Sequence, residues 1–148
     1  NKSKELNISP LGYIQDSIFI GTDPYEEMLL GPAYAIPEIL KRNKVALSDI
    51  DVFEIHEAFA GQILANMSAL NSERFCQDNF SKSKLGEIPF DKLNLWGGSI
   101  AIGHPLAASN IRNIMTAVNR LHKEDKELAL VAACADSGLA NAMIIRRV

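Results

Sequence analysis

The 148-residue sequence predicts an α/β fold: a mixed, mostly parallel sheet covered by helices on both faces and closed by one antiparallel hairpin. Three observations carry this. Segments rich in β-branched and aromatic residues alternate with stretches of helical periodicity through most of the chain. The span 128–135 (Leu-Ala-Leu-Val-Ala-Ala-Cys-Ala) is nearly continuous apolar sequence, as a central strand buried on both faces requires. Two strand-like segments then close the chain with only Asp136-Ser137-Gly138 between them, a spacing that suits an antiparallel pair and no crossover.

Each element has a local reason. Residues 13–20 read as a strand stopped by Gly21-Thr22-Asp23-Pro24. Gly31-Pro32 opens a helix with Ala33, Ile36, Ile39 and Leu40 on one face; Pro37 predicts a first turn, a kink, and a helix ending near Arg42. A turn at 48–51 feeds a short strand from Val52 to Ile55, with His56 at its end. The next helix is expected over about 57–70, with Phe59, Ile63, Leu64, Met67 and Leu70 as its apolar stripe. Residues 71–93 are polar and weakly patterned, and read as a loop with at most one helical turn. Residues 93–102 carry the Gly97-Gly98 break and read as a short, bent strand. Pro105 suits a first helical position, and the helix after it shows Ala108, Ile111, Met115, Val118 and Leu121 on one side. Arg112, Asn113, Asn119 and Arg120 are placed outside. Residues 142–147 form the closing strand.

Composition narrows the function. The length suits one domain with a real core, and a net charge of −3 with scattered basic residues argues against nucleic acid as a partner. No apolar run approaches the roughly 20 residues of a membrane span. Two cysteines, Cys76 and Cys134, make no disulfide framework and fit a reducing compartment. No targeting segment is read in the sequence; it opens at Asn1, without an initiator methionine, so a piece of a longer polypeptide is expected.

Chemistry concentrates at three junctions. His56, His104 and Cys134 each sit where a strand-like or apolar segment gives way to a turn or helix. Imidazole and thiol are the side chains most readily tuned for proton exchange near neutral pH. Ligands of open α/β sheets bind outside the carboxyl ends of the strands, so three such residues are expected to converge on one rim. The turn at Asp136 and Gly138 can aim backbone N–H groups at a substrate oxygen. No Cys-x-x-Cys or His-x-x-x-His pair is present, so no metal site is expected. The 97–103 stretch is neither a Walker loop nor a dinucleotide fingerprint.

Three motifs together resemble the C-terminal half of a thiolase. They are His56-Glu57-Ala58-Phe59-Ala60, the run Asn94-Leu95-Trp96-Gly97-Gly98-Ser99-Ile100-Ala101-Ile102-Gly103-His104-Pro105, and Cys134 with its turn. The likeness runs from about Gly12 to the C-terminus, so residues 1–148 are expected to be one thiolase C-terminal domain without the half that bears the nucleophilic cysteine. Most of the family has asparagine where this chain has His56. The histidine, with Gly61-Gln62-Ile63-Leu64-Ala65-Asn66, resembles the long-chain 3-ketoacyl-CoA branch.

The resemblance implies cleavage of a 3-ketoacyl-CoA by CoA in fatty-acid β-oxidation, with CoA as substrate and no cofactor. It implies that His104 activates the nucleophile and holds the thioester oxygen, that His56 orients a water there, and that Cys134 is the second acid/base. Asp136 and Gly138 belong to the second oxyanion site and Phe59 is a substrate contact. It further implies a mitochondrial homo-oligomer, a hydratase/dehydrogenase α subunit as partner, and possible contact with a membrane. The chain departs from the family at Ala107, Asn110, Asp136 and Ser137, where glycine is usual. An aspartate beside Cys134 is expected to raise the thiol pKa. These departures define the alternative: a thiolase-derived domain serving assembly or acyl-CoA binding without turnover.

Overall fold

In the computed structural model, which describes residues 2–148, strands β1 (Gly12–Gly21), β2 (Val52–Ile55), β3 (Leu128–Ala135) and β4 (Leu139–Arg147) form one sheet in the order β1-β4-β3-β2. The helices are α1 (Lys2–Glu5), α2 (Gly31–Asn43), α3 (Ala60–Leu70), α4 (Glu73–Phe80), α5 (Ser99–Ile102) and α6 (Ser109–Lys123). β4 pairs antiparallel with both β1 and β3, and β2 pairs parallel with β3. Three strands therefore run the same way, yet only one pairing is parallel, which corrects the mostly parallel sheet expected from the alternation. The cause is the three-residue turn Asp136–Gly138, which sends β4 straight back into the gap between β3 and β1.

Both faces of the sheet are covered, because successive strand residues point to opposite sides. Leu128, Leu130 and Ala132 face a core built with Ile36, Ile39 and Leu40 of α2 and Ile63, Met67 and Leu70 of α3. Ala129 and Val131 face Ala117 and Leu121 of α6 together with Val52 and Ile145. Each fully buried aliphatic side chain of this kind contributes about 1.5–3 kcal/mol.

Several local expectations change. α2 is one uninterrupted helix through Pro37; the lost N–H bond at the proline is offset by complete burial of Ala35, Ile36 and Ile39. α3 begins at Ala60, three residues late, because the Gln62 side chain accepts from Ala58 N and the backbone at Phe59 stays extended. Phe59 and Leu64 are exposed, and Gln62 and Asn66 take the buried places. Asn66 earns its burial by bonding outward: its Oδ1 accepts from Ala33 N in the first turn of α2, a donor it shares with Leu30 O, and its Nδ2 donates to Leu29 O.

The polar 71–93 stretch contains a two-turn helix, α4, capped by Ser72 Oγ accepting from Phe75 N. In place of a strand over 93–102, Asn94 lies along the free edge of β2. Its Oδ1 accepts from Ile55 N and its Nδ2 donates to Ile55 O, each at 2.8 Å, so one side chain does the work of a neighbouring strand. α6 is rotated from the expected face. Asn113, Ala117, Arg120 and Leu121 are buried, whereas Ile111 and Met115 are exposed. Arg120 can turn inward because Glu54 Oε1 and Glu124 Oε1 each accept from it at 2.8 Å.

Candidate active site

The parallel pair β2–β3 brings two chain segments to one edge. Ile55 is level with Ala132, and His56 N donates to Ala132 O, so His56 leaves the sheet one residue short of Cys134 on the adjoining strand. Between α5 and α6, Gly103 adopts φ +88°, a left-handed bend that suits glycine, and delivers His104 to the same edge. The imidazoles of His56 and His104 lie with ring centroids 4.3 Å apart. Together with Cys134 they line a cavity of about 350 Å³ whose other walls include Leu106, Ser109, Asn110, Asp136 and Asn141. The expected convergence is therefore present.

Each histidine commits the same ring nitrogen. His56 Nδ1 lies 3.0 Å from Ser99 Oγ, and His104 Nδ1 lies 2.6 Å from Ser109 Oγ. Nε2 of both rings is left for the cavity. Burial holds His56 below the usual imidazole range, helped by the charges of His104 and Arg112 and opposed by Glu57. The Glu57 carboxylate also fixes the loop, accepting from Asn94 Nδ2 at 2.7 Å and from Ile100 N at 3.0 Å. Gly98 leaves room for the carboxylate in this position: a Cβ there would fall 2.4 Å from Glu57 Oε2 and displace it.

Cys134 is buried, and burial pushes its thiol above the usual range. The expected contribution of Asp136 is absent from the causes of that shift. Its carboxylate is instead turned onto its own loop, accepting from Ser137 N at 2.8 Å. Gly138, at φ +74°, packs on the end of β1: a Cβ there would lie 2.4 Å from Thr22 O, and Gly138 O accepts from Thr22 N. Phe59 is exposed and outside the cavity lining, at the start of α3. Among the described residues no group of three or more His, Cys, Asp or Glu side chains is placed to hold a metal ion.

Two of the glycine replacements have visible consequences. Asn110 donates from Nδ2 to Asn141 Oδ1 at 3.1 Å, and its own Oδ1 is buried without a partner. Ser137 sits at φ +64°, in a region that costs a non-glycine residue about 1–2 kcal/mol. Glycine restores the conformation but adds freedom to the unfolded chain. Ser137→Gly is therefore expected to stabilise the fold by a net ~0.5–1 kcal/mol, seen as a higher urea midpoint with unchanged slope; a lower midpoint would refute strain at this turn.

The site also holds residues that sequence reasoning missed. Ser99 and Ser109 bear no mark of function in the sequence, and Arg112 reads there as an outward-facing residue. Arg112 in fact donates to Gly103 O at 2.7 Å and to Ser99 Oγ at 3.0 Å, bridging both histidine loops. Only Ser109 carried a signal, as a hydroxyl in the first turn of the helix that follows His104.

A mixed α/β sheet here brings two imidazoles and a thiol to one cavity beyond the ends of β2 and β3. The sequence matches the family described as thiolase, C-terminal domain, over residues 8–147, and the chain belongs to that family. It is 44% identical over 146 residues to the mitochondrial trifunctional enzyme subunit beta of Mus musculus, covering 98% of this chain and 31% of that protein. It is 47% identical over 137 residues to a probable 3-ketoacyl-CoA thiolase of Caenorhabditis elegans, covering 92% of this chain and 31% of that one. The solved acetyl-CoA acetyltransferase from Syntrophomonas wolfei superposes with a TM-score of 0.83 at 30% identity, over 99% of this chain and 34% of its own. The chain thus spans about a third of the length of these relatives.

Proposed function

We propose that this chain is the C-terminal catalytic part of a 3-ketoacyl-CoA thiolase of fatty-acid β-oxidation. The observation that carries the reading is the meeting of His56, His104 and Cys134 in one cavity at the ends of β2 and β3. Cys76 cannot serve as the nucleophile, since it is buried in α4 with its thiol directed to Leu70 O. The nucleophilic cysteine comes from the remaining two thirds of the thiolase.

The chemistry then divides among the side chains in hand. His104 takes the proton of the incoming cysteine through Nε2 while Ser109 steadies Nδ1. The thiolate adds to the 3-keto carbon, and the C2–C3 bond breaks to leave an acyl-enzyme and the enolate of acetyl-CoA. Cys134, kept protonated by burial, gives its proton to that carbanion. The Cys134 thiolate next removes the proton of a second CoA, whose sulfur attacks the acyl-enzyme and releases the shortened acyl-CoA. His56 and His104 face the thioester oxygen, where negative charge develops. CoA enters as substrate, and these steps use only side chains. The name of one relative, trifunctional enzyme subunit beta, mitochondrial, supports a mitochondrial location and assembly with another subunit; a homo-oligomer with a hydratase/dehydrogenase α subunit is what the family resemblance implies, and a 3-ketoacyl-CoA thiolase from Colwellia psychrerythraea is equally similar, at 44% identity.

A non-catalytic role is the second reading, favoured by the strained Ser137 and the unpartnered Asn110 Oδ1. Joining the chain to a nucleophile-bearing N-terminal half and assaying CoA-dependent cleavage of a long-chain 3-ketoacyl-CoA separates the two. Turnover with acetyl-CoA release is expected. A folded assembly that binds acyl-CoA but releases none would establish the non-catalytic role.

A further inference from the structure

The two histidines share a cavity, yet different networks hold their outer nitrogens. Ser99 is buried, and its hydroxyl has one hydrogen to give. Arg112 Nη2 already donates to Ser99 Oγ, since a guanidinium cannot accept. Among the described residues the remaining partner of that oxygen is His56 Nδ1. If His56 carried its hydrogen on Nδ1, two donors would point at Ser99 Oγ and the buried hydroxyl hydrogen would have no acceptor. A buried donor left unpaired costs about 1–3 kcal/mol. The low-cost arrangement runs Arg112 → Ser99 → His56 Nδ1, which places the imidazole hydrogen on Nε2.

We propose that Arg112 and Ser99 are positioning residues that lock His56 as its Nε2–H tautomer, making it a fixed hydrogen donor to the reacting oxygen. The inference rests on the thiolase reading above for the identity of that oxygen, and on geometry alone for the tautomer. It separates the roles of two rings 4.3 Å apart: His56 donates throughout the cycle, while His104, on a different hydroxyl, faces the nucleophile. Arg112 also holds Gly103 O at 2.7 Å, so one guanidinium fixes the spacing of both histidine loops. The charged and titratable groups around His56 are His104 from the 103–108 loop, Arg112 from α6, Glu57 from its own loop, Cys134 from β3 and, across the cavity, Asp136 from the turn that follows β3. His104 and Arg112 disfavour the imidazolium, and Glu57 alone favours it.

The test reads the tautomer directly. In the chain labelled with ¹⁵N at histidine, His56 is expected to show a protonated Nε2 and an unprotonated, hydrogen-bonded Nδ1 across the neutral pH range. Ser99→Ala is expected to produce a mixture of tautomers, and Ser99→Thr to restore the single form. Arg112→Met is expected to raise the pH at which His56 protonates. In the assembled thiolase, Ser99→Ala should lower kcat about tenfold, the loss expected when an orienting partner outside the reacting groups is removed, with KM little changed. An Nδ1–H signature in the unsubstituted chain would overturn the proposal even if no variant folded, as would an unaltered tautomer in Ser99→Ala. The expected tautomer in an assembly without thiolysis would instead refute the functional reading and leave the positioning role standing.

Discussion

Cys134→Ser in the assembled thiolase is expected to lower kcat by about 10²- to 10⁴-fold, the range a positioned general acid–base supplies. The substitution is close to isosteric, so Ala133, Ala135 and the sheet register around them should be undisturbed. What changes is proton affinity. A thiol, even one raised by burial, can give a proton to a carbanion and recover it from CoA; a serine hydroxyl is far too weak an acid to complete that exchange. Burial already pushes the Cys134 thiol up, so it is a proton donor at neutral pH before substrate arrives. Exchange of the acetyl-CoA methyl protons with solvent isolates this role from acyl transfer. The exchange should fall in step with kcat in Cys134→Ser, and full turnover in that variant would remove Cys134 from the mechanism.

The same comparison assigns His104. His104→Ala should slow alkylation of the nucleophilic cysteine, because the imidazole that accepts its proton is gone. Cys134→Ser should leave that alkylation rate near its starting value. If the two variants slowed alkylation alike, the division of labour between activator and acid/base would be wrong.

His56, His104 and Cys134 were legible in the sequence because each stands at a junction marked by local chemistry. A short apolar strand ends before His56, Gly103 and Pro105 bracket His104, and a continuous apolar run carries Cys134 to a glycine turn. The network behind them was not legible. Ser99 meets His56 only because Asn94, Glu57 and the close approach at Gly98 fold residues 94–103 back over the end of β2. No sequence period encodes such a contact. The misread face of α6 has a different cause. Hydrophobicity counted Arg120 as an outward charge and Ile111 and Met115 as core, but burial follows what the sheet face can satisfy. That face offers an acidic partner at Glu54, so the arginine goes in and the apolar residues on the opposite side stay out. The sheet was misjudged for a related reason: alternation of elements gave strand directions correctly, whereas pairing depended on where β4 returned.

Arg120→Leu is expected to destabilise the chain by about 3–5 kcal/mol, the cost of leaving a buried charge without its partner. The Arg120 side chain is 0% exposed and that of Glu54 is 2% exposed, with Nη1 donating to Oε1 at 2.8 Å. Nη1 also donates to Lys92 O at 3.1 Å, so the guanidinium ties α6 to β2 and to the 92–94 segment that carries Asn94. Burial raises the Glu54 carboxyl to about 7, against the pull of Arg120. Removing the arginine removes that pull and lifts Glu54 further. A carboxyl whose folded pKa lies above its unfolded value contributes most below the unfolded pKa, and its contribution is lost as pH rises through the folded pKa. The deficit of Arg120→Leu should therefore be smaller near about pH 5, where Glu54 is protonated with or without Arg120, than near about pH 8, where only the native pair is easily ionised. Denaturation curves at the two pH values measure the difference. Adding Glu54→Leu removes the stranded carboxylate and should recover much of the lost stability, since replacing a whole buried ion pair by apolar residues is often close to neutral. A double-mutant cycle gives the coupling; a deficit independent of pH and unrelieved by the second substitution would mean that Arg120 acts through its backbone contacts and not through Glu54.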